Sequence, residues 1–174
     1  FQGLLGMWTV TLLLKPAIVS AHLAGGLTTM ALLWWMALQT TRRSRLRSED
    51  SLRRWAVIGM VVLVVQILLG GWVSSNYSAV ACPDFPTCQR SYWPDMDFKD
   101  AFVLWRGLGI DYEGGVLDHP ARVAIHYTHR IGAIVAALIL GFVAWQAVRT
   151  GQSPGVRTAG IALALFIAAP LAIC

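Results

Sequence analysis

Charge is what this sequence has least of. Only 13% of its 174 residues are charged and 56% are hydrophobic, whereas a soluble domain carries about 25% charged residues. That shortage excludes an ordinary soluble enzyme. The high hydrophobicity excludes disorder, which needs the opposite balance. Acidic side chains are missing from most of the chain: they occur at Glu49 and Asp50 and then only from Asp84 to Asp118. The formal net charge of +5 is therefore not the basic face of a soluble fold, and nucleic acid is not an expected partner. There is also no second pair of ligands at zinc-like spacing beside Cys82 and Cys88, which argues against a zinc site.

What fills the space between the charges is apolar. Ala17–Gln39 and Trp55–Tyr77 each run without a formal charge, and so does Ile131–Val148, where a helix can begin as early as Arg122. A bilayer core needs about 20 apolar residues of helix. These three stretches predict complete membrane passes, and the apolar ends Phe1–Leu14 and Thr158–Cys174 predict two that are cut off. The expected fold class is an all-α transmembrane helical bundle. Residues 40–54 hold six Arg against two acids, whereas residues 77–120 hold seven acids against Arg90, Lys99 and Arg106. By the positive-inside rule the first loop and Arg149–Arg157 are cytoplasmic, and the 77–120 loop and the Leu12–Pro16 turn lie on the opposite side. The chain opens without Met inside one apolar pattern and stops inside another, so it reads as a fragment of a longer membrane protein.

The outer loop is too long for a plain connector and predicts a folded cap. Its Tyr92, Trp93, Phe98, Phe102, Trp105 and Tyr112 suit packing at the headgroup level. On that oxidising side Cys82 and Cys88 can close as a disulfide, either as a loop staple or as a redox-active pair. His119, just before Pro120, reads as a solvated or capping residue, and Cys174 as a membrane-embedded thiol.

Three His remain. His22 lies shortly inside one span, and His126 and His129 lie near the start of another, both entered from the outer side. Ionisable groups at such depth usually face a bundle interior, and a neutral imidazole there suits haem iron. A hydrogen-bonded core His is the plainer alternative for each. The small residues Ala24, Gly25 and Gly26 allow close helix packing or room for a flat macrocycle. His126 and His129 share a helical face, so both cannot hold one iron from opposite sides. His129 is the expected ligand, with His126 supporting it or handling a proton. Arg130 and Arg122 are placed to pair with a haem propionate. Gln2-Gly3-Leu4-Leu5-Gly6-Met7-Trp8 also echoes Gln66-Ile67-Leu68-Leu69-Gly70-Gly71-Trp72. That echo fits either a duplication or two similar helix entry turns.

Gln2–Val10, Lys15–Gly26, Cys82–Cys88 and His126–Ala133, in that order, resemble the haem A synthase family. The resemblance implies a parent of eight transmembrane helices in two similar four-helix bundles. Residues 1–39 would end the first bundle, 40–54 would be the cytoplasmic linker and 55–174 would begin the second. It implies oxidation of the C8 methyl of haem O to a formyl group by successive hydroxylation, with water as oxygen source, for cytochrome c oxidase biogenesis. His22 matches an axial ligand on the substrate side and His129 an axial ligand of a haem b cofactor. Their partner ligands and a Glu acid/base would lie on helices outside this chain, so no catalytic residue is named. The family's Glu three residues before its His is replaced at His129 by His126. Cys82 and Cys88 match a structural disulfide. The implied partners are haem O, the haem O synthase that supplies it, the lipid bilayer and an unidentified electron acceptor, and a homo-oligomer is compatible with them. The implied location is a bacterial plasma membrane with residues 77–120 periplasmic. A membrane b-type cytochrome that transfers electrons without altering haem is the alternative.

Overall fold

The computed structural model describes residues 1–40, 50–151 and 153–173, with side chains up to Ala169. Helices α1 (Gln2–Thr11), α2 (Pro16–Thr40), α3 (Asp50–Ser75), α4 (Phe98–Ala101), α5 (His119–Thr150) and α6 (Pro154–Ile173) follow in order. No strand forms among the described residues, where Cys88 and Ser91 make an isolated β-bridge. Helix satisfies backbone polar groups within the segment, as a bilayer demands. At 1.5 Å per residue, α2, α3 and α5, with 25, 26 and 32 residues, run about 37, 39 and 48 Å. All exceed the roughly 30 Å hydrocarbon core, and these three are long and apolar enough to cross a membrane. The fold is all-α and transmembrane, and the protein is an integral membrane protein.

Side chains agree with that solvent. Met30, Leu32, Leu33, Trp34, Trp35 and Met36 on α2, and Met60, Val61 and Val65 on α3, are more than half exposed. Facing water, such a surface would aggregate; facing acyl chains or other helices it is at home. The two passes expected to be cut off are shorter here. Helix α1 has 10 residues, and α6 carries the apolar stretch Pro154–Ala169. Helix α5 opens at His119, three residues before the earliest start expected at Arg122, because Pro120 in a first turn needs no N–H. The sequence predicts an Arg-rich linker running to Arg54. Asp50–Arg54 already belong to α3, while residues 41–49 and Cys174 lie outside the described residues.

The chain separates into two compact units. Residues 1–36 and 67–131 form the first, packed on Trp72, Val73, Ala101, Leu117, Ala121, Ala124 and Ile125. Its loop between α3 and α5 is folded, as its length predicted. Trp72 Nε1 donates to the Ala101 carbonyl at 2.9 Å, which ties α4 to the end of α3. Asp97 caps α4 by accepting from the Lys99 and Asp100 backbone N–H groups. Tyr112 N–H donates to the Leu13 carbonyl at 3.1 Å, which binds the loop to the α1–α2 turn. Residues 37–66 and 132–174 form the second unit, packed on Leu52, Val143 and Ala147. There a methyl group on Gly160 would stand 2.8 Å from Ala147 Cβ and 3.0 Å from the Ala144 carbonyl oxygen. Helices α5 and α6 thus touch at backbone distance, the small-residue packing of membrane helices.

Both copies of the Gln-Leu-Leu-Gly-Trp echo stop three residues short of a helix end: α1 runs Gln2–Thr11 and α3 ends at Ser75. Both ends close alike. Leu12, Leu13 and Leu14 donate to the carbonyls of Trp8, Val10 and Thr9 at 3.0, 3.1 and 2.9 Å. Asn76, Tyr77 and Ser78 donate to those of Trp72, Ser74 and Val73 at 3.2, 3.2 and 2.9 Å. Leu13 and Tyr77 take matching left-handed φ values of 52° and 53°, the conformation that satisfies terminal helix carbonyls. The echo is a structural repeat.

Candidate functional site

The repeat positions the buried imidazoles. A methyl group on Gly6 would stand 3.2 Å from His22 Cε1, and one on Gly70 would stand 3.3 Å from His129 Cε1. Each copy's glycine, near the exit of one helix, leaves room for a His on a membrane-spanning helix that packs against it. The two His are therefore seated separately, His22 against α1 and His129 against α3. In the first copy Gln2 Nε2 donates to the His22 carbonyl at 2.6 Å. His22 Nδ1 is buried with no hydrogen-bond partner.

His126, one turn before His129, has a different job. The Cys82 backbone N–H donates to its Nδ1 at 3.2 Å. A neutral imidazole accepting at Nδ1 carries its proton on Nε2, so neither nitrogen is left as a ready iron ligand.

Arg130 holds the outer loop. Its Nη1 donates to the Asp84 and Thr87 carbonyls, each at 2.8 Å, and its Nη2 to the Cys82 carbonyl at 3.1 Å. The sequence reading placed this guanidinium toward a propionate; the structure shows both Nη atoms engaged by the Cys82–Cys88 loop. Cys82 and Cys88 are joined as a disulfide. Within the ring the Thr87 hydroxyl donates to the Asp84 carboxylate, and just after the ring the Arg90 and Gln89 N–H groups donate to it at 3.0 and 2.9 Å. The Thr87 hydroxyl, with the backbone donors behind it, holds the Asp84 carboxyl below the ordinary value of 3.8. A depressed carboxylate pKa stabilises the folded loop above the ordinary value, and that contribution fades as pH falls through the lowered one.

Two more cations have unusual surroundings. Lys15, to which the sequence reading gave no role, is 2% exposed. Its Nζ donates to the Gly107 carbonyl and lies 3.1 Å from the centre of the Trp105 ring. No spacing rule announces such burial, because Gly107 and Trp105 lie far along the chain. Arg122 has a buried Nε with no hydrogen-bond partner. His119 is exposed at the start of α5, as read.

These residues fit an iron that arrives already held by a macrocycle. Such an iron takes only axial imidazole from the protein, and each seat offers one. Among the described residues no three His, Cys, Asp or Glu side chains converge to hold a bare ion. The partnerless Nδ1 of His22 and Nε of Arg122 are polar atoms that an incoming ligand would satisfy.

Residues 1–173 match the family COX15-CtaA, cytochrome oxidase assembly protein. The chain is 44% identical to the haem A synthase of Shewanella oneidensis over 149 residues, covering 84% of this chain and 45% of that protein. It is 28% identical to that of Methylobacterium radiotolerans over 170 residues, covering 93% and 44%. It is 31% identical to that of Erythrobacter litoralis over 124 residues, covering 70% and 33%. The chain thus spans less than half the length of these relatives. No solved structure matches it.

Proposed function

This chain belongs to the COX15-CtaA family of cytochrome oxidase assembly proteins, and from that premise we propose that it is part of a haem A synthase. The reaction is oxidation of the C8 methyl of haem O to a formyl group by successive hydroxylation. With water as oxygen source, a methyl group and one water become a formyl group, four protons and four electrons. The electrons pass to an acceptor outside this chain. The observation that carries the reading is the repeated seat: two imidazoles on separate helices, each backed by a glycine on a helix that ends in the same closing turn.

Within that reading His22 is the axial ligand on the haem O side and His129 an axial ligand of a resident haem b. The resident haem supplies redox capacity when bound. The chain's own residues do the rest. Gly6 and Gly70 set how closely each imidazole approaches its neighbouring helix. Gln2 fixes the His22 backbone, His126 links the His129 turn to the disulfide loop, and Arg130 holds that loop closed. Residues 1–39 complete one four-helix bundle and 55–174 open a second, joined by the cytoplasmic 40–54 segment. The membrane is a bacterial inner membrane, and the loop between α3 and α5 faces the periplasm. A cysteine placed at Asp97 should react with a membrane-impermeant thiol reagent in intact cells, and one at Ser44 should not; the reverse pattern would invert the topology.

Chemistry tests the activity. Membranes containing the protein and a haem O source should yield hydroxylated and formylated haem on extraction. Unmodified haem O together with a haem b spectrum would favour the b-type cytochrome instead.

A further inference from the structure

The duplication extends past the helix exits. Lys15-Pro16-Ala17-Ile18-Val19-Ser20-Ala21-His22-Leu23-Ala24-Gly25 aligns without a gap with Arg122-Val123-Ala124-Ile125-His126-Tyr127-Thr128-His129-Arg130-Ile131-Gly132. Ala, Ile, His and Gly coincide, and a cation opens each segment. The structure upholds the alignment, since the two His it superposes are those seated against Gly6 and Gly70. Seven residues of helix bring the chain back to nearly the same face about 10.5 Å along the axis. Each copy therefore carries a cation two turns outward from its imidazole, at the start of its helix, where the helix dipole also favours an anion.

Neither cation has a carboxylate partner among the described residues. Among the described residues the ion pair present is Arg106–Asp100, at 2.6 Å. Lys15 is buried with only a carbonyl and a ring face against its ammonium, and a buried charge so poorly compensated is costly. Arg122 keeps a buried Nε without a partner. We propose that Lys15 and Arg122 are the carboxylate subsites of the two tetrapyrrole sites, each receiving an acidic side arm of the ring ligated two turns below it. In the first copy Gly107 and Trp105 of the outer loop cover the ammonium, so an arriving carboxylate replaces a carbonyl and a ring face. In the second copy the open Nε of Arg122 takes the carboxylate directly. This rests on the haem-site reading above and adds how the ring is oriented within it.

The test is binding, read by the absorption spectrum and not by turnover. The protein carrying this chain is depleted of haem and titrated with protohaem and with protohaem dimethyl ester, in which both carboxylates are masked. Protohaem should bind at least tenfold more tightly than the ester. Arg122→Gln should abolish that preference while keeping a low-spin spectrum, and Arg122→Lys should restore part of it. With haem O and its dimethyl ester, Lys15→Met should abolish the corresponding preference and Lys15→Arg should keep it. Equal affinity of the unaltered protein for acid and ester would overturn the proposal without any variant having to fold. So would an undiminished preference in Arg122→Gln. Failure of both probes to give a low-spin spectrum would overturn the haem-site reading, and the subsites with it.

Discussion

His129→Ala should remove the low-spin haem b signal completely while leaving the protein in the membrane. The imidazole is seated on the bare backbone of Gly70, with 3.3 Å between its Cε1 and the position a methyl group would occupy. His126, one turn away, has its Nδ1 occupied by the Cys82 N–H and its proton on the other nitrogen. The loss should therefore be total, with no shift to an alternative ligand. The helix itself should tolerate the change, since Ala is the best helix former. Difference spectra of reduced minus oxidised membranes check this, with the amount of protein measured separately. An unchanged low-spin spectrum in His129→Ala would remove His129 from the ligand set.

The second large effect is expected at Arg130, and it is one of order and not of ligation. Its guanidinium draws together three carbonyls of the Cys82–Cys88 loop. A hydrogen bond to a charged group contributes about 1.5–3 kcal/mol, and three that share one donor group do not add independently. Arg130→Ala should thus destabilise the loop by roughly 3 kcal/mol or more, while the disulfide keeps the ring closed. Limited proteolysis in the 76–118 loop should accelerate by about a hundredfold. Arg130→Lys should recover only a fraction, because an ammonium cannot present the planar fork that reaches three carbonyls. Proteolysis as slow as in the unaltered protein would show that the loop holds itself without Arg130.

Most of the architecture was legible because the bilayer imposes so few solutions. Runs such as Ala17–Gln39 leave no choice but helix, and the uneven placement of Arg and Asp marked the joints. The outer loop was legible in outline only. Its length and aromatics announced a cap, but the Trp72–Ala101, Tyr112–Leu13 and Lys15–Gly107 contacts join residues far apart in sequence. At the site, His22 and His129 stood out because an imidazole in an apolar run is costly. Their seats were visible as the Gln-Leu-Leu-Gly-Trp echo, whose meaning needed the structure. A repeated glycine looks the same whether it ends a helix or admits a ring. Arg130 shows the opposite limit: its position beside His129 suggested a ligand-facing role, while its Nη partners lie more than forty residues away. The burial of Lys15 is not legible in the sequence, because a Lys beside Pro at a turn normally points to water and only the fold of the loop buries it.

Two imidazoles serving two different haems is the central feature of the proposed site, and the haem content of His22→Ala measures that directly. Membranes carrying this variant and a haem O source should keep the full low-spin haem b signal of the unaltered protein. Their extracted haems should contain haem O with no hydroxylated or formylated product. Loss of the haem b signal in His22→Ala, or continued formation of haem A, would contradict the assignment of separate sites.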